Sequence, residues 1–531
     1  MIGPVGQIHA LSSLLGPGNV SKRMRNIIRI FFVMIVLLVV LLTVADAGHR
    51  FKKTGQSQIT QVNIDQISLI LGEEGTVWLE PTSSFNDEFI ELKILGPAAE
   101  QTQYKGKEGF FGLAGVQTLW LAKEDRETEM ALVAATGARY IGMDFEWGKI
   151  EKEQGKYDWS GPDDAVRLAK QYGLTIVPML LFTPQWASPT SFAPLDYKSI
   201  PPVDEKQYRD FVFQVVNRYK PFGQSTYVKD GYGISDWVIW NEPNVQPQGK
   251  DPLPGNFWIG ELEAYIQLMR AGFEGAHAAD PSCNVLNGGL ADVYWRQGEA
   301  DLVTAVERLY DPNGDGDAGD GARPYFDTLN IHIYPPVNLT PEEINDWLQY
   351  RIDAISRVMD RFGDDGKKIW VTETGFGSVP SSNNLNETPQ PDNLMWLDEK
   401  GQSDSMLIMF EKYVQFPKVE TVLWWSLRDY YINQTGENQA MEAHYGLVNA
   451  DFSPKSSYLA YARMVGGMDI LFSSEINIGS FGRQMVVIPK NVISRAGNYL
   501  VVVTPILRGE NQPHFQTVKR TSVFFKNIQS K

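Results

Sequence analysis

The chain has 531 residues, too many for one ordinary domain but suited to one expanded α/β barrel with small appendages. Its 43% hydrophobic and 21% charged residues belong to a chain that folds, which excludes a disordered or fibrous protein. A formal charge of -16 excludes nucleic acid or an anionic membrane surface as the main partner, since both would repel it, and favours a neutral substrate.

In chain order, Lys22, Arg23, Arg25 and Arg29 precede an uncharged apolar run over residues 30–44 that ends in Ala45-Asp46-Ala47. This pattern predicts an export signal: residues 1–22 stay on the cytoplasmic side, and residues 23–47 are a cleaved signal peptide or a transmembrane anchor. The small-residue site favours cleavage after Ala47. Counted from Ile27, the apolar stretch just crosses a hydrocarbon core of about 30 Å at about 1.5 Å per residue, so both outcomes stay open. In either case the bulk of the protein is expected outside the cytoplasm, secreted or held to the membrane by one N-terminal helix.

Residues 48–107 read as a polar linker and short strands, because alternation sets in at Gln61-Val62-Asn63-Ile64-Asp65 and at Glu88-Phe89-Ile90-Glu91-Leu92. Over residues 108–466 apolar runs of strand length alternate with helical stretches, the mark of repeated βα units. Eight strands are predicted at 110–113, 140–147, 174–182, 234–240, 283–290, 325–334, 368–372 and 419–427. Helices are predicted at 125–136, 163–172, 205–219, 261–278, 342–362 and 403–414. The count, with no Gly-rich phosphate loop after the first strand, predicts a closed (β/α)8 barrel over an open doubly wound sheet. Strands return over residues 467–531, at 484–488 and 499–503, and with residues 58–96 they are expected to form a small β-rich accessory region from the two chain ends.

The single cysteine, Cys283, excludes an intramolecular disulfide, and the six histidines never adopt the i, i+4 spacing of a helical zinc site. Neither a metal nor a cofactor is expected. Barrel enzymes carry their chemistry at the C-terminal ends of strands, where two carboxylates stand out. Trp237-Val238-Ile239-Trp240 runs into Asn241-Glu242-Pro243-Asn244, and Lys368-Ile369-Trp370-Val371-Thr372 runs into Glu373-Thr374-Gly375. Strand alternation puts Glu242 on one side with Trp240 and Val238, and Glu373 with Val371 and Ile369, so both can face the barrel mouth. Two carboxylates there need a reason, and glycoside cleavage gives one: one acid protonates the leaving oxygen while the other attacks the anomeric carbon. A lone Asn-Glu-Pro is a weak signal, since glutamate before proline ends many strands; the second strand-end glutamate three βα units later strengthens it.

Asn241-Glu242-Pro243 and Thr372-Glu373-Thr374-Gly375 resemble the paired signatures of clan A glycoside hydrolases, closest to the cellulase-like family five and the xylosidase-like family thirty-nine. Similarity extends to Trp147-Gly148-Lys149-Ile150-Glu151, Thr183-Pro184-Gln185-Trp186, His332-Ile333-Tyr334-Pro335 and Trp424-Trp425-Ser426-Leu427-Arg428-Asp429. The resemblance implies a retaining O-glycosyl hydrolase in which Glu242 is acid/base, Glu373 nucleophile, Asn241 a donor to the sugar 2-hydroxyl and Tyr334 a partner of the nucleophile. It departs from the pattern where such enzymes carry an arginine late in the second strand: Gly142 stands there, with Arg139 close by but out of phase.

Around the pair, 14 tryptophans could offer stacking platforms for apolar sugar faces. Trp424 or Trp425, ending the eighth strand, is the first choice, with only one of them facing inward; Trp147 and Trp186 follow, each balanced against a packing role. His332 shares parity with Tyr334 and either lines the site or is a buried structural histidine. Asp311-Pro312-Asn313-Gly314-Asp315-Gly316-Asp317 has the acid spacing of a calcium loop, but Ala322 occupies the place of its bidentate glutamate, which favours a solvated insertion. Asn338, Asn386 and Asn433 open glycosylation sequons. The expected partner is an oligo- or polysaccharide, with the membrane added if the N-terminal segment is uncleaved. Transglycosylation uses the same chemistry; a membrane-tethered, non-catalytic carbohydrate-binding barrel is the rival from another class.

Overall fold

The computed structural model describes residues 58–529 apart from 82–88, 100–101, 103, 105–106, 117–120, 190–196, 246–256, 293–300, 337–338, 379–396, 430–443, 478–482 and 507–516. The basic and apolar stretch at 22–47 and the asparagines of the three sequons therefore lie outside the described residues. No helix among the described residues is long and apolar enough to cross a membrane.

Apolar, β-branched segments build a parallel barrel. Its strands are Phe111–Leu113, Tyr140–Glu146, Thr175–Leu181, Asp236–Ile239, the broken pair Asn284–Asn287 and Leu290–Ala291, Leu329–His332, Ile369–Thr374 and Val419–Trp424. Neighbours pair in parallel from one strand to the next, and the last pairs with the first. The fifth stave is interrupted at Gly288-Gly289; Asn284–Asn287 reaches the sixth through a parallel bridge between Leu286 and Thr328, and Leu290–Ala291 pairs with Ile331 and His332. The nine segments are thus eight staves, and each overlaps one of the eight runs predicted from sequence, several of them at shorter length.

The helices form because each buries one stripe. Glu205–Tyr219 buries Tyr208, Phe211, Val212, Val215, Val216 and Tyr219, and the Asp204 side chain caps its start by accepting from the Lys206 N–H. Pro341–Arg361 starts from a capping box between Thr340 and Glu343. The six predicted helices are present with ends shifted by a few residues, and Trp147–Ile150, Leu302–Tyr310 and Ser456–Gly466 add to them.

Strands from the two chain ends interleave. Phe89–Pro97 lies between Met468–Asn477 and Gly497–Ile506, antiparallel to both, and Ser522–Ile528 pairs on the far side of Gly497–Ile506. In a second sheet Gly75–Pro81 lies between Gln58–Ser68 and Gln484–Ile488. Alternate residues close one core: Val62, Val77, Leu79, Ile90, Leu92, Ile94, Val501 and Val503 are fully buried in it. From the other face of Gly497–Ile506, Leu500 and Val502 join the barrel's own core instead.

Candidate functional site

Each carboxylate reaches the mouth through a break in its strand, not through simple alternation. After Ile239 the chain turns left-handed, with φ of 74° at Trp240 and 39° at Glu242. Trp240 therefore does not share a side with Glu242: its ring packs against Tyr208 of helix Glu205–Tyr219 and against Trp258, and its ring N–H donates to the Phe257 carbonyl at 2.8 Å. In the seventh strand the register slips. Ile331 is paired with Val371 but His332 with Glu373, and toward the eighth strand Val371 is paired with Val422 but Thr374 with Trp424. That is a β-bulge, which turns two successive side chains to one face. Trp370 and Thr372 hold the inner face, meeting Tyr140 and Asn330, so Glu373 joins them and not Val371 and Ile369 as alternation predicts.

His332, fully buried, lies between the two acids. Its Nδ1 is 2.8 Å from Glu242 Oε1 and 3.5 Å from Glu373 Oε2, and its Nε2 is 3.0 Å from Thr372 Oγ1. One oxygen of Glu242, one of Glu373 and one ring nitrogen all lie within 4.8 Å of one another. Tyr334 donates to Glu373 Oε2 at 2.9 Å, and its ring meets Tyr445 edge-on. Burial raises the Glu373 carboxyl above the usual carboxylate range; His332 and Tyr334 counter it, while Glu242 and Asp144 add to it. Burial disfavours the His332 imidazolium, but Glu373 and Glu242 outweigh that and leave its pKa raised.

The remaining residues divide. Asn241 is buried beside Glu242, and its Oδ1 has no hydrogen-bond partner among the described residues. Trp425 is half-buried next to the nucleophile's strand, its N–H on the Thr374 carbonyl, and is the one tryptophan of its pair with surface to offer. Trp424 is fully buried with its ring N–H on the Tyr445 carbonyl, so it is core and not a platform. Trp147 is also fully buried, stacked on Phe211 and donating to Glu151, and Trp186 packs edge-on against it. Trp147 is therefore core, whereas Trp186 is half-buried, with its ring N–H on the Glu151 carbonyl at 2.8 Å. Arg139 lies at the N-terminal end of the second strand over Tyr140, at the wrong end to support Glu373. The carboxylate of Asp311 accepts from the N–H groups of Gly314, Asp315 and Gly316, so the acid-rich loop closes on its own backbone.

Four site residues escaped the sequence. A Cβ on Gly289 would lie 2.0 Å from His332 Nε2, so the fifth strand breaks at Gly288-Gly289 to admit the imidazole; that doublet inside a strand pattern was the available signal. Asp144 stands on the inner side of the second strand, two residues beyond Gly142, where burial and Glu146 push its carboxyl up to about 6. Asn330 and Thr372 looked like ordinary polar strand residues; Thr372 Oγ1 lies 2.8 Å from Asn330 Oδ1.

Glu242, His332 and Glu373 are also the one group of three metal-type donors this close together among the described residues. The imidazole nitrogens are within hydrogen-bond reach of protein partners, Nδ1 of Glu242 and Nε2 of Thr372.

Fold and site define the class: a (β/α)8 barrel with two carboxylates and an imidazole converging at its C-terminal mouth. No protein-family model matches the chain, and no curated protein matches it. Among solved structures, a family 39 glycoside hydrolase from Bacteroides cellulosilyticus WH2 is similar at 14% identity and a TM-score of 0.46, over 86% of this chain and 88% of its own. A monomeric beta-xylosidase from Caulobacter crescentus CB15 gives 18% identity and 0.47, over 79% and 77%. Xylanase 10B from Thermotoga maritima gives 14% and 0.43, over 70% and 98%.

Proposed function

We propose that this protein hydrolyses an O-glycosidic bond with retention of anomeric configuration, as a clan A glycoside hydrolase. The observation that carries the reading is the approach of Glu242 and Glu373 oxygens to within 4.8 Å. Retaining enzymes hold their acids roughly 5–5.5 Å apart, whereas inverting ones need about 6.5–9.5 Å to seat a water. Glu373, nearly enclosed and held by Tyr334, is the nucleophile: it bonds to the anomeric carbon as the leaving oxygen departs. Glu242, with 14% of its side chain exposed, protonates that oxygen and later takes a proton from the water that frees the sugar. A mouth lined by Glu242, Glu373 and Asp144 disfavours anionic sugars and supports an uncharged oligo- or polysaccharide. The basic and apolar N-terminal pattern supports action outside the cytoplasm.

The test is kinetic. Glu373→Ala should abolish turnover of aryl glycosides. Glu242→Ala should slow natural glycosides by roughly 10²–10⁴-fold while sparing aryl glycosides whose leaving groups need no proton. An equal loss on both substrate types would refute the role of Glu242, and an inverted product anomer by NMR would refute the mechanism.

A further inference from the structure

We infer that Asn330 and Thr372 lock His332 with its proton on Nε2, so that Nδ1 and Glu242 share a single proton, and that this lock sets the basic side of the enzyme's pH profile. The inference rests on Glu242 acting as acid/base. Its argument starts from backbone groups, whose donor and acceptor roles are fixed.

Asn330 Nδ2 lies 3.1 Å from the Asn287 carbonyl oxygen, which can only accept, so that atom is the amide nitrogen. Asn330 Oδ1 in turn faces the Thr372 backbone N–H, which can only donate. The orientation of the amide is therefore settled, and Oδ1 also accepts the Thr372 hydroxyl at 2.8 Å. A hydroxyl has one proton. Having given it to Asn330, Thr372 Oγ1 can only accept from His332 Nε2 at 3.0 Å, so Nε2 carries hydrogen. What lies between Nδ1 and Glu242 Oε1, 2.8 Å apart, is then one shared proton: a neutral acid on a ring lone pair, or a carboxylate on an imidazolium. Asn287 buttresses the chain from the fifth strand, its Oδ1 accepting the Asn330 N–H at 2.7 Å.

The charged and titratable groups around the ring are Glu242 just beyond the fourth strand, Glu373 from the seventh, Tyr334 just beyond the ring's own strand, and Asp144, which acts on Glu373 from the second; the break in the fifth strand presents Gly289. Removing the shared proton leaves a carboxylate facing a lone pair. That arrangement is unfavourable, and Glu373 and Glu242 together raise the His332 pKa against the cost of its burial, so the geometry favours keeping one proton between ring and carboxyl. When Glu242 protonates the leaving oxygen, the same repulsion makes the carboxylate eager for the proton of the incoming water. Thr372 and Asn330 are positioning residues: they touch no substrate and act through the ring.

Asn330→Ala frees the Thr372 hydroxyl to donate to Nε2, and the ring can then carry its proton on Nδ1, facing an ionised Glu242. The basic limb of the kcat/KM profile should move down by about one pH unit, while Thr372→Ser, which keeps the hydroxyl, should leave the limb in place. Long-range 1H–15N spectra of histidine-labelled wild-type protein, with His332 assigned by its absence in His332→Gln, should show Nε2 protonated throughout and Nδ1 alone titrating. A neutral ring protonated on Nδ1 in the wild type, or an unmoved limb in folded Asn330→Ala, overturns the lock. Should Asn330→Ala not fold, the wild-type spectrum decides. Absence of glycosidase activity in the wild type would defeat the functional reading and leave the spectrum to judge the lock alone.

Discussion

Glu373 must be ionised to attack, yet burial, Glu242 and Asp144 all oppose its charge, with His332 and Tyr334 on the other side. Because its pKa is raised, activity is lost as pH falls through that raised value, so the acidic limb should lie above the ordinary glutamate range near about 4.3. Asp144 is the one opposing group that touches neither acid's hydrogen bonds. Asp144→Asn removes a nearby negative charge and should move the acidic limb to lower pH by up to about one unit, read as kcat/KM on an aryl glycoside. A limb that moves upward or stays put would show that Asp144 does not act on the nucleophile. Gly289 offers a steric counterpart. A Cβ 2.0 Å from His332 Nε2 forces the imidazole away from Glu242, so Gly289→Ala should cost roughly 10²-fold in kcat, on the scale of a 1 Å misplacement. The overpacked protein should lose about 1–3 kcal/mol in denaturant unfolding.

At the scale of elements, a buried ion pair ties Asp429, just beyond the eighth strand, to Lys455 at the start of the last helix. Lys455 Nζ lies 2.8 Å from Asp429 and 3.1 Å from Ser378 Oγ, with both charged residues at most 5% exposed. Asp429 also accepts the Gly446 N–H, next to the Tyr445 whose ring meets Tyr334. Lys455→Met leaves a buried carboxylate with only the Gly446 N–H and the His444 ring, 3.5 Å away, and should cost about 3–5 kcal/mol, whereas the double replacement Lys455→Met with Asp429→Leu should recover much of it; urea unfolding of the three proteins compares them. The eight strands and six helices were legible because apolar runs and helical stripes are written locally. Glu242 and Glu373 were legible as strand-end acids, but alternation was the wrong reason to aim them inward. A left-handed turn at Trp240 and a bulge at Thr372 do that, and a bulge is defined by the register of a partner strand that the local sequence does not contain. Trp424 and Trp425 illustrate the same limit, since only packing decides which of two adjacent indoles is walled in.

Across the whole molecule, the two chain ends are structural partners of the barrel. Gly497–Ile506 is buried on both faces, with Val501 and Val503 in the sandwich core while Leu500 and Val502 enter the barrel core near helix Lys123–Ala135. Tyr172 meets Phe525 at 5.8 Å, the Ala98 N–H donates to the Gly467 carbonyl at 2.7 Å, and the Thr521 N–H donates to Asp451. Ending the chain at Gly467 strips Phe89–Pro97 of both neighbouring strands and uncovers Leu500 and Val502's share of the barrel, at about 1.5–3 kcal/mol for each buried side chain removed. Against a net stability of about 5–15 kcal/mol for a folded domain, that loss is large. The truncated chain should therefore accumulate in inclusion bodies, while full-length Glu373→Ala, equally inactive, stays soluble. Circular dichroism and tryptophan fluorescence of the full-length protein should report coincident thermal transitions, because sandwich and barrel share core residues. A soluble, active protein spanning residues 98–467, or two separated transitions, would show that the barrel stands alone.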